Sequence, residues 1–324
     1  MLVQKKAALI SLVTSAFVLF LKFWAYKTTH SAALFSDALE TVVNVITAAI
    51  AIYVIQFALQ PADEDHPYGH GKLEYFSAAF EGGLVFFAGL VIIFEGVSTF
   101  YKTREIKELE IGLTFTLVAT FINLVVGLYL KKTGLKNQSA ALQASGIHLL
   151  SDVKTTAGII FGLILFHWTG LIWIDSLMAV IVGFWLLTES YSLIKQNISL
   201  LLDQRNLETV SEIAEKIKPF LNSDIIDIHN LKIIQSGPFQ HIDAHMVVPE
   251  FYDIKKVHEV IHQFENNILK TYKLQGEFAF HTDPCAQKYC SVCDIDECKI
   301  RQNAFIKKQN LNSDHLVSGP KYGK

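Results

Sequence analysis

The sequence is short of charge. Asp, Glu, Lys and Arg make up 18% of its 324 residues and the net charge is only −3, whereas soluble domains carry roughly a quarter charged residues. With no surplus of either sign, it lacks the electrostatic footprint of a nucleic-acid partner. A cleavable leader is missing from the reading, because Lys22 interrupts the first apolar stretch and no small-residue cleavage site follows. No His-Glu-x-x-His motif occurs, which sets aside an intramembrane metallohydrolase built on that pattern. Cysteine is scarce: all four lie between residues 285 and 298.

What is abundant is apolar sequence, at 51% with a mean hydropathy of +0.32. A helix needs about 20 apolar residues to cross a bilayer. Six stretches qualify, at 7–26, 32–59, 75–100, 111–131, 140–167 and 171–194. Acids, bases and histidines concentrate after residue 200, so a lipid-embedded region, 1–204, is followed by a water-exposed one. Six spans place both termini on one side. The segments on that side hold Lys5, Lys6, Lys72, Lys131, Lys132, Lys136, Lys195 and Arg205, against Lys27, Lys102, Arg104 and Lys107 opposite. The excess puts the termini in the cytoplasm, and the inner membrane of a bacterium is the default location for so compact a chain.

An ionisable residue at membrane depth costs roughly 2.5–3.5 kcal/mol on insertion scales and calls for a reason. Glu40 and Asn44 stand four apart in the second span, and His148 and Asp152 four apart in the fifth. Four residues are about one helical turn, so each pair projects from one face. Two such faces meeting would supply four N/O ligands, a number suited to a tetrahedral divalent ion. The two carboxylates would balance its charge. Either pair alone reads equally well as interhelical hydrogen bonding. Asp37, a turn before Glu40, reads as a residue at the start of the helix or as support for the ligands. Glu81, Glu95, Lys154, Asp175 and Glu189 read as packing or interfacial residues.

Asp37-Ala38-Leu39-Glu40 with Asn44, His148-x-x-x-Asp152, and the loop Gln60-Pro61-Ala62-Asp63-Glu64-Asp65-His66-Pro67-Tyr68-Gly69-His70-Gly71-Lys72 together resemble the motifs of the cation diffusion facilitator family. The resemblance runs to about residue 284. It implies a six-helix transport domain in which Glu40, Asn44, His148 and Asp152 hold a divalent metal, most simply Zn²⁺, for export in exchange for protons. The second helix departs from the zinc pattern, since Asp or His followed by Asp is usual there. Fe²⁺, Mn²⁺, Co²⁺ and Ni²⁺ therefore stay open as cargo. Asp63, His66 and His70, which alone would read as a solvated turn, match a peripheral metal site.

From 205 to 284 the pattern changes to helix 206–221, strands 225–235 and 239–248 around Ser236-Gly237-Pro238, helix 253–272 with Asp253 as N-cap, and strand 275–282. An α-β-β-α-β order implies a two-layer α+β domain with both helices on one face of a sheet, similar to the ferredoxin-like cytoplasmic domain of the same family. By that similarity His229, His245, His258, His281 and Asp283 form a binuclear site with a structural or regulatory role, and the chain is a homodimer. The remaining segment, 285–324, carries Cys285-x₄-Cys290-x₂-Cys293-x₄-Cys298. In a cytoplasmic setting disulfides are disfavoured, and a thiolate site for zinc or another soft metal is the expectation, free thiols the alternative. The first three cysteines also fit the plant-type iron–sulfur spacing, though the fourth follows too closely for it. The last ~20 residues are expected to be disordered. A membrane-anchored metal sensor is the rival reading, and ligands at membrane depth argue against it.

Overall fold

The structure is a computed structural model that describes residues 2–101, 108–171, 173–272, 275–296 and 298–319. Lys102, Arg104 and Lys107, used above for orientation, lie outside them. The chain forms two compact units, residues 1–202 and 203–324, described separately below.

The first unit holds six helices: α1 (Leu2–Thr29), α2 (Ala32–Ala58), α3 (Lys72–Phe100), α4 (Leu109–Asn137), α5 (Ala140–Thr169) and α6 (Trp173–Leu201). Each is long and apolar enough to cross a membrane, which makes this an integral, multi-pass membrane protein. Several outrun the apolar stretch that announced them: α4 extends to Asn137 rather than 131. Hydropathy marks only the part in hydrocarbon, while the helix continues through the headgroup layer. The rings of Phe87, Phe94, Phe121 and Phe161 point outward, as lipid permits. Tyr101, Trp168 and Trp173 are exposed at one end of the bundle, where amphipathic rings favour the interface.

Helices α1, α2, α4 and α5 pack together, and α3 pairs with α6. Without a hydrophobic drive between helices in lipid, close backbone approach supplies the cohesion. Gly82, Gly89 and Gly96, seven apart on α3, provide it. A Cβ at Gly89 would sit 3.1 Å from the Gly183 carbonyl oxygen, and one at Gly96 3.2 Å from that of Ser176.

The helices that carry the ionisable pairs start alike. Ser31 and Ser139 are extended N-caps whose side chains accept from the Leu34 and Leu142 amides. A carboxylate from another helix completes each cap. Asp175 of α6 accepts from Ser31 Oγ (2.5 Å), Ala32 N (2.7 Å) and Ala33 N (3.2 Å). Glu74 of α3 accepts from Ser139 Oγ (2.8 Å) and Ala141 N (3.1 Å). An anion at a helix N-terminus meets both the unpaired amides and the positive end of the dipole. Asp175 and Glu74 are thus structural anchors.

The second unit runs α7 (Leu207–Ile217), β1 (Asp227–Ser236), β2 (Phe239–Val248), α8 (Ile254–Tyr272), β3 (Gln275–Pro284) and α9 (Ser313–Ser318). Asn206 caps α7, and Asp253 Oδ1 accepts from Lys256 N at 2.8 Å at the start of α8. The sheet order is β1-β2-β3, with β1·β2 antiparallel and β2·β3 parallel. Val210, Ile213 and Ile217 of α7 and Val260, Phe264 and Ile268 of α8 bury their helical stripes against Ile228, Ile242, Ala244, Met246 and Phe278. The alternate strand residues face the other way. There Ile226 and Val247 pack under Tyr289, Val292 and Cys293, so the cysteine segment adds a partial third layer.

The expectation of a disordered end is corrected for residues 311–319, while 320–324 lie outside the described residues: α9 packs on β1, Leu316 is buried with Leu311 in the helix-side core, and Asn312 caps α9. A six-residue helix gives no periodic signal of its own. Its order comes from tertiary packing.

Candidate metal centres

Glu40 and Asn44 lie nine and thirteen residues after Ser31, and His148 and Asp152 nine and thirteen after Ser139. At 1.5 Å per residue that is roughly 14–20 Å from each helix start, near the middle of helices 27 and 30 residues long. Consecutive spans alternate in direction, so α2 and α5 run antiparallel and the two pairs meet at mid-membrane.

The meeting is close. Ligand atoms of Glu40, His148 and Asp152 all lie within 4.8 Å of one another, and Asn44 Nδ2 donates to Asp152 Oδ2 at 2.5 Å. His148 Nε2 is 3.7 Å from Asp152 Oδ1. All four side chains are buried. Both Glu40 carboxylate oxygens, Asn44 Oδ1, His148 Nε2 and Asp152 Oδ1 lack a hydrogen-bond partner although buried. Buried polar atoms are rarely left unpaired. Five on four neighbouring side chains leave lone pairs open to a guest. A cavity of about 150 Å³ lined by Ala144, His148, Glu189 and Gln196 leads from His148 toward the end of the bundle where α6 finishes.

Beside this centre lies a pair that the apolar count registered only as an interruption. Lys22 Nζ contacts Asp37 Oδ1 at 2.8 Å, both about 1% exposed, and Thr156 Oγ1 donates to the same oxygen at 2.6 Å. Asp37 therefore supports Lys22 rather than the ligands directly. Glu81 of α3 is also buried, with Oε1 unpartnered and within electrostatic reach of His148 and Asp152. Hydropathy gave no reason to separate it from a packing residue. Glu189 accepts hydrogen bonds from Ser151 Oγ and Trp185 Nε1.

The loop residues also gather. Asp63, His66 and His70 bring ligand atoms within 4.8 Å. Asp63 Oδ1 accepts from His66 N at 2.7 Å, and His70 Nε2 lies 3.5 Å from Oδ2. The His66 amide, and then the neighbouring imidazoles, hold the Asp63 carboxyl below its ordinary range.

In the second unit His229, His245 and His281 are direct cross-strand partners, and Asp283 shares their face two residues beyond His281. His229, His245 and Asp283 form the tight cluster. His281 Nε2 adds a contact to Asp283 Oδ1 at 3.6 Å. His258 does not join them. It is exposed on α8 and stacks on His262, and α8 packs on the opposite face of the sheet. Among the described residues the cluster is three close ligands with His281 at its edge. Sequence reading missed His315, whose Nε2 lies 2.5 Å from Asp227 Oδ1. Asp227 Oδ2 in turn faces His229 Nδ1 at 3.2 Å. Burial alone would raise the Asp227 carboxyl, but the hydrogen bonds from His229 and His315 outweigh it and hold it low.

All four cysteines are free and wall one cavity. Burial pushes the Cys285 thiol up against the opposing pull of a hydrogen bond with the Glu250 backbone, and the charges of Glu250, Cys293 and Cys298 add to the rise. Among the described residues, however, no three cysteine sulfurs fall within 4.8 Å of one another, so they are not drawn in to the spacing of one tetrahedral ion.

The sequence matches known proteins over most of its length. Residues 8–202 match the sequence profile described as the cation efflux transmembrane domain, and 206–285 that of the cation efflux protein cytoplasmic domain. An uncharacterized transporter of Synechocystis is 33% identical over 262 residues, 81% of this chain and 84% of its own length. The cation-efflux pump FieF of Serratia proteamaculans is 26% identical over 284 residues, 87% of this chain and 93% of the relative. FieF of Yersinia enterocolitica gives the same figures.

Proposed function

The chain belongs to the cation efflux family, and from that premise we propose that it exports a divalent metal, Zn²⁺ first among candidates, from the cytoplasm in exchange for protons. The observation that carries the reading is the buried cluster of Glu40, His148 and Asp152, with Asn44 bonded to Asp152, and the unpartnered polar atoms on these four side chains. Buried atoms without partners cost free energy, and a metal would offset that cost.

Charge sets the exchange. Lys22 and Asp37 cancel as a buried pair, leaving Glu40 and Asp152 as the two carboxylates of the ligand cluster, with Glu81 buried close by. One divalent ion balances the charge of the two ligand carboxylates, and so do two protons. Ligands must be deprotonated to bind metal, so the two guests compete for the same lone pairs. Each form crosses the low-dielectric region with the two ligand carboxylates balanced, whereas an empty, deprotonated site would not. The cavity beside His148 extends toward the end of the bundle where α6 finishes, on the side where entry from the cytoplasm is proposed. Asn44 and Glu40 also admit Fe²⁺, Mn²⁺, Co²⁺ or Ni²⁺, since Asn is a neutral oxygen ligand and Irving–Williams affinity alone does not select. Asp63/His66/His70 and His229/His245/His281/Asp283 read as peripheral sites that order the loop and the cytoplasmic domain, which pairs two chains into a homodimer.

The test is metal uptake into proteoliposomes under an imposed pH gradient. Wild type should move metal against the proton flow, and Asp152→Ala should reduce the rate at least about 100-fold, since loss of a mere supporting partner of a ligand already costs roughly 10–100-fold. No flux in wild type, or undiminished flux in the variant, would overturn the reading.

A further inference from the structure

The cysteine segment is a group of ligating side chains that neither the transport chemistry nor the loop and histidine-row sites use. Its backbone is a built fold. Cys285 N donates to Val248 O at 2.9 Å, extending the β2–β3 ladder past its last pair. Cys290 and Cys293 sit in a tight turn, with Cys290 N on Gln287 O and Cys293 N on Tyr289 O. Tyr289, Val292 and Cys293 are buried on Ile226 and Val247. Arg301 closes the loop: its guanidinium donates to the carbonyls of Cys290 (3.1 Å), Cys293 (3.0 Å) and Ile295 (2.7 Å). Three main-chain acceptors held by one cation fix the cysteine backbone and leave a positive charge in the wall of a sulfur-lined space.

The size of that space discriminates between guests. A single zinc bonded to four thiolates at about 2.3 Å sets the sulfurs roughly 3.8 Å apart. No trio of cysteine sulfurs here meets even 4.8 Å among the described residues. Yet all four cysteines border one cavity of about 80 Å³, several times the roughly 10–15 Å³ that one water fills. Four thiolates spread around a void larger than an ion suit a polynuclear core in which each metal takes one cysteine. A four-iron core does this with Cys₄ ligation and the close Cys-x₂-Cys pair found in such sites.

We propose that Cys285, Cys290, Cys293 and Cys298 hold a [4Fe–4S] cluster, with Arg301 as the positioning residue that shapes the loop and offsets the cluster's negative charge. This goes beyond the transport reading and does not depend on it. The cluster would join the sheet face that carries the histidine row, since Cys285 follows Asp283 by two residues on the same strand extension.

The test uses the full-length protein purified anaerobically in detergent and incubated with equal amounts of ferrous and ferric iron and with sulfide, which together supply the two ferrous and two ferric ions of the oxidised core, then desalted. Iron, zinc and acid-labile sulfide are quantified, with visible absorption and electron paramagnetic resonance after reduction. The expected result is about four iron and four sulfide per chain with a broad band near ~400 nm, the composition of a four-iron Cys₄ cluster. Cys290→Ser and Cys298→Ser should each cut the sulfide at least about fourfold. His245→Ala should leave sulfide unchanged, which separates this iron from iron bound as cargo or at the histidine row. Arg301→Gln should assemble the cluster but shift its reduced-state spectrum or shorten its lifetime. One zinc per chain without sulfide, no bound metal, or sulfide indifferent to both cysteine variants would each overturn the proposal.

Discussion

Lys22→Met is the sharpest probe of how the membrane unit tolerates charge. Lys22 and Asp37 are each about 1% exposed and 2.8 Å apart, and Asp37 has one further partner, Thr156. Removing one member of a buried pair leaves a charge with nothing to offset its desolvation, at a cost of about 3–5 kcal/mol. Replacing both members by neutral groups of similar size is often neutral or stabilising by about 1–4 kcal/mol. The single variant should therefore lose most of its thermal stability in detergent, and Lys22→Met with Asp37→Asn should regain it. The charge count adds a second reading. In the single variant the site carries an extra negative charge beside Glu40 and Asp152, so an extra proton should accompany each transport cycle. In the double variant the ratio should return to that of wild type. The assay is a double-mutant cycle by thermal unfolding, with proton-to-metal ratios from pH-sensitive dye and metal flux in the same vesicles. If the stability effects of the two single variants simply add in the double variant to within about 0.5 kcal/mol, the pair is not coupled and the reasoning fails.

Asn44→Asp places a third carboxylate at the site, and it should raise Zn²⁺ preference in a metal panel; equal preference in both proteins would show that Asn44 is not the selector. Asp175→Asn keeps an acceptor on the α2 cap but removes the charge, and should cost about 1–2 kcal/mol, with Asp175→Ala costing more; identical melting of both and wild type would refute the anchoring role. The Asp227 carboxyl is held below its ordinary value by His229 and His315. A lowered folded-state value gives stability that is full above the unfolded value of about 3.9 and is lost as pH falls through the folded one. Hydrogen exchange across β1 and α9 should therefore stay slow at pH 5 and speed up only below about pH 4; His315→Ala should speed it at both. Gly146→Leu would drive a side chain into the Lys131 backbone, where even a Cβ would lie 2.4 Å from the amide nitrogen, and should destabilise α4–α5 packing by about 1–3 kcal/mol or more; a wild-type melting profile would contradict the close approach.

The candidate ligands were legible because lipid makes polar residues conspicuous. Glu40, Asn44, His148 and Asp152 interrupt apolar runs at helical spacing, and no tertiary information is needed to place each pair on one face. Lys22 was equally conspicuous, but its partner lies fifteen residues on and across a helix boundary, and only the packing of α1 on α2 reveals it. The matched offsets from Ser31 and Ser139 stood in the sequence as Ser-x₈-Glu-x₃-Asn and Ser-x₈-His-x₃-Asp; aligning the two halves would have found them. The histidine row is different. Strand register decides that His229, His245 and His281 are neighbours, and helix phase decides that His258 is not. Neither follows from composition. The order of the tail and the role of His315 rest on α9 docking against β1, which no local pattern announces.

The reciprocal caps explain how a mid-membrane site can be held while access changes. α2 is anchored at its N-terminus by Asp175 of α6, and α5 at its own by Glu74 of α3. Because α2 and α5 run antiparallel, those anchors sit at opposite ends of the bundle, with the ligand pairs an equal number of residues from each. The α3–α6 pair, packed along its glycine seam, therefore grips one ligand helix at each end. Under the proposed exchange, a tilt of that pair against the other four helices would act on both anchored helix starts at once, with Glu40, Asn44, His148 and Asp152 midway along the two ligand helices.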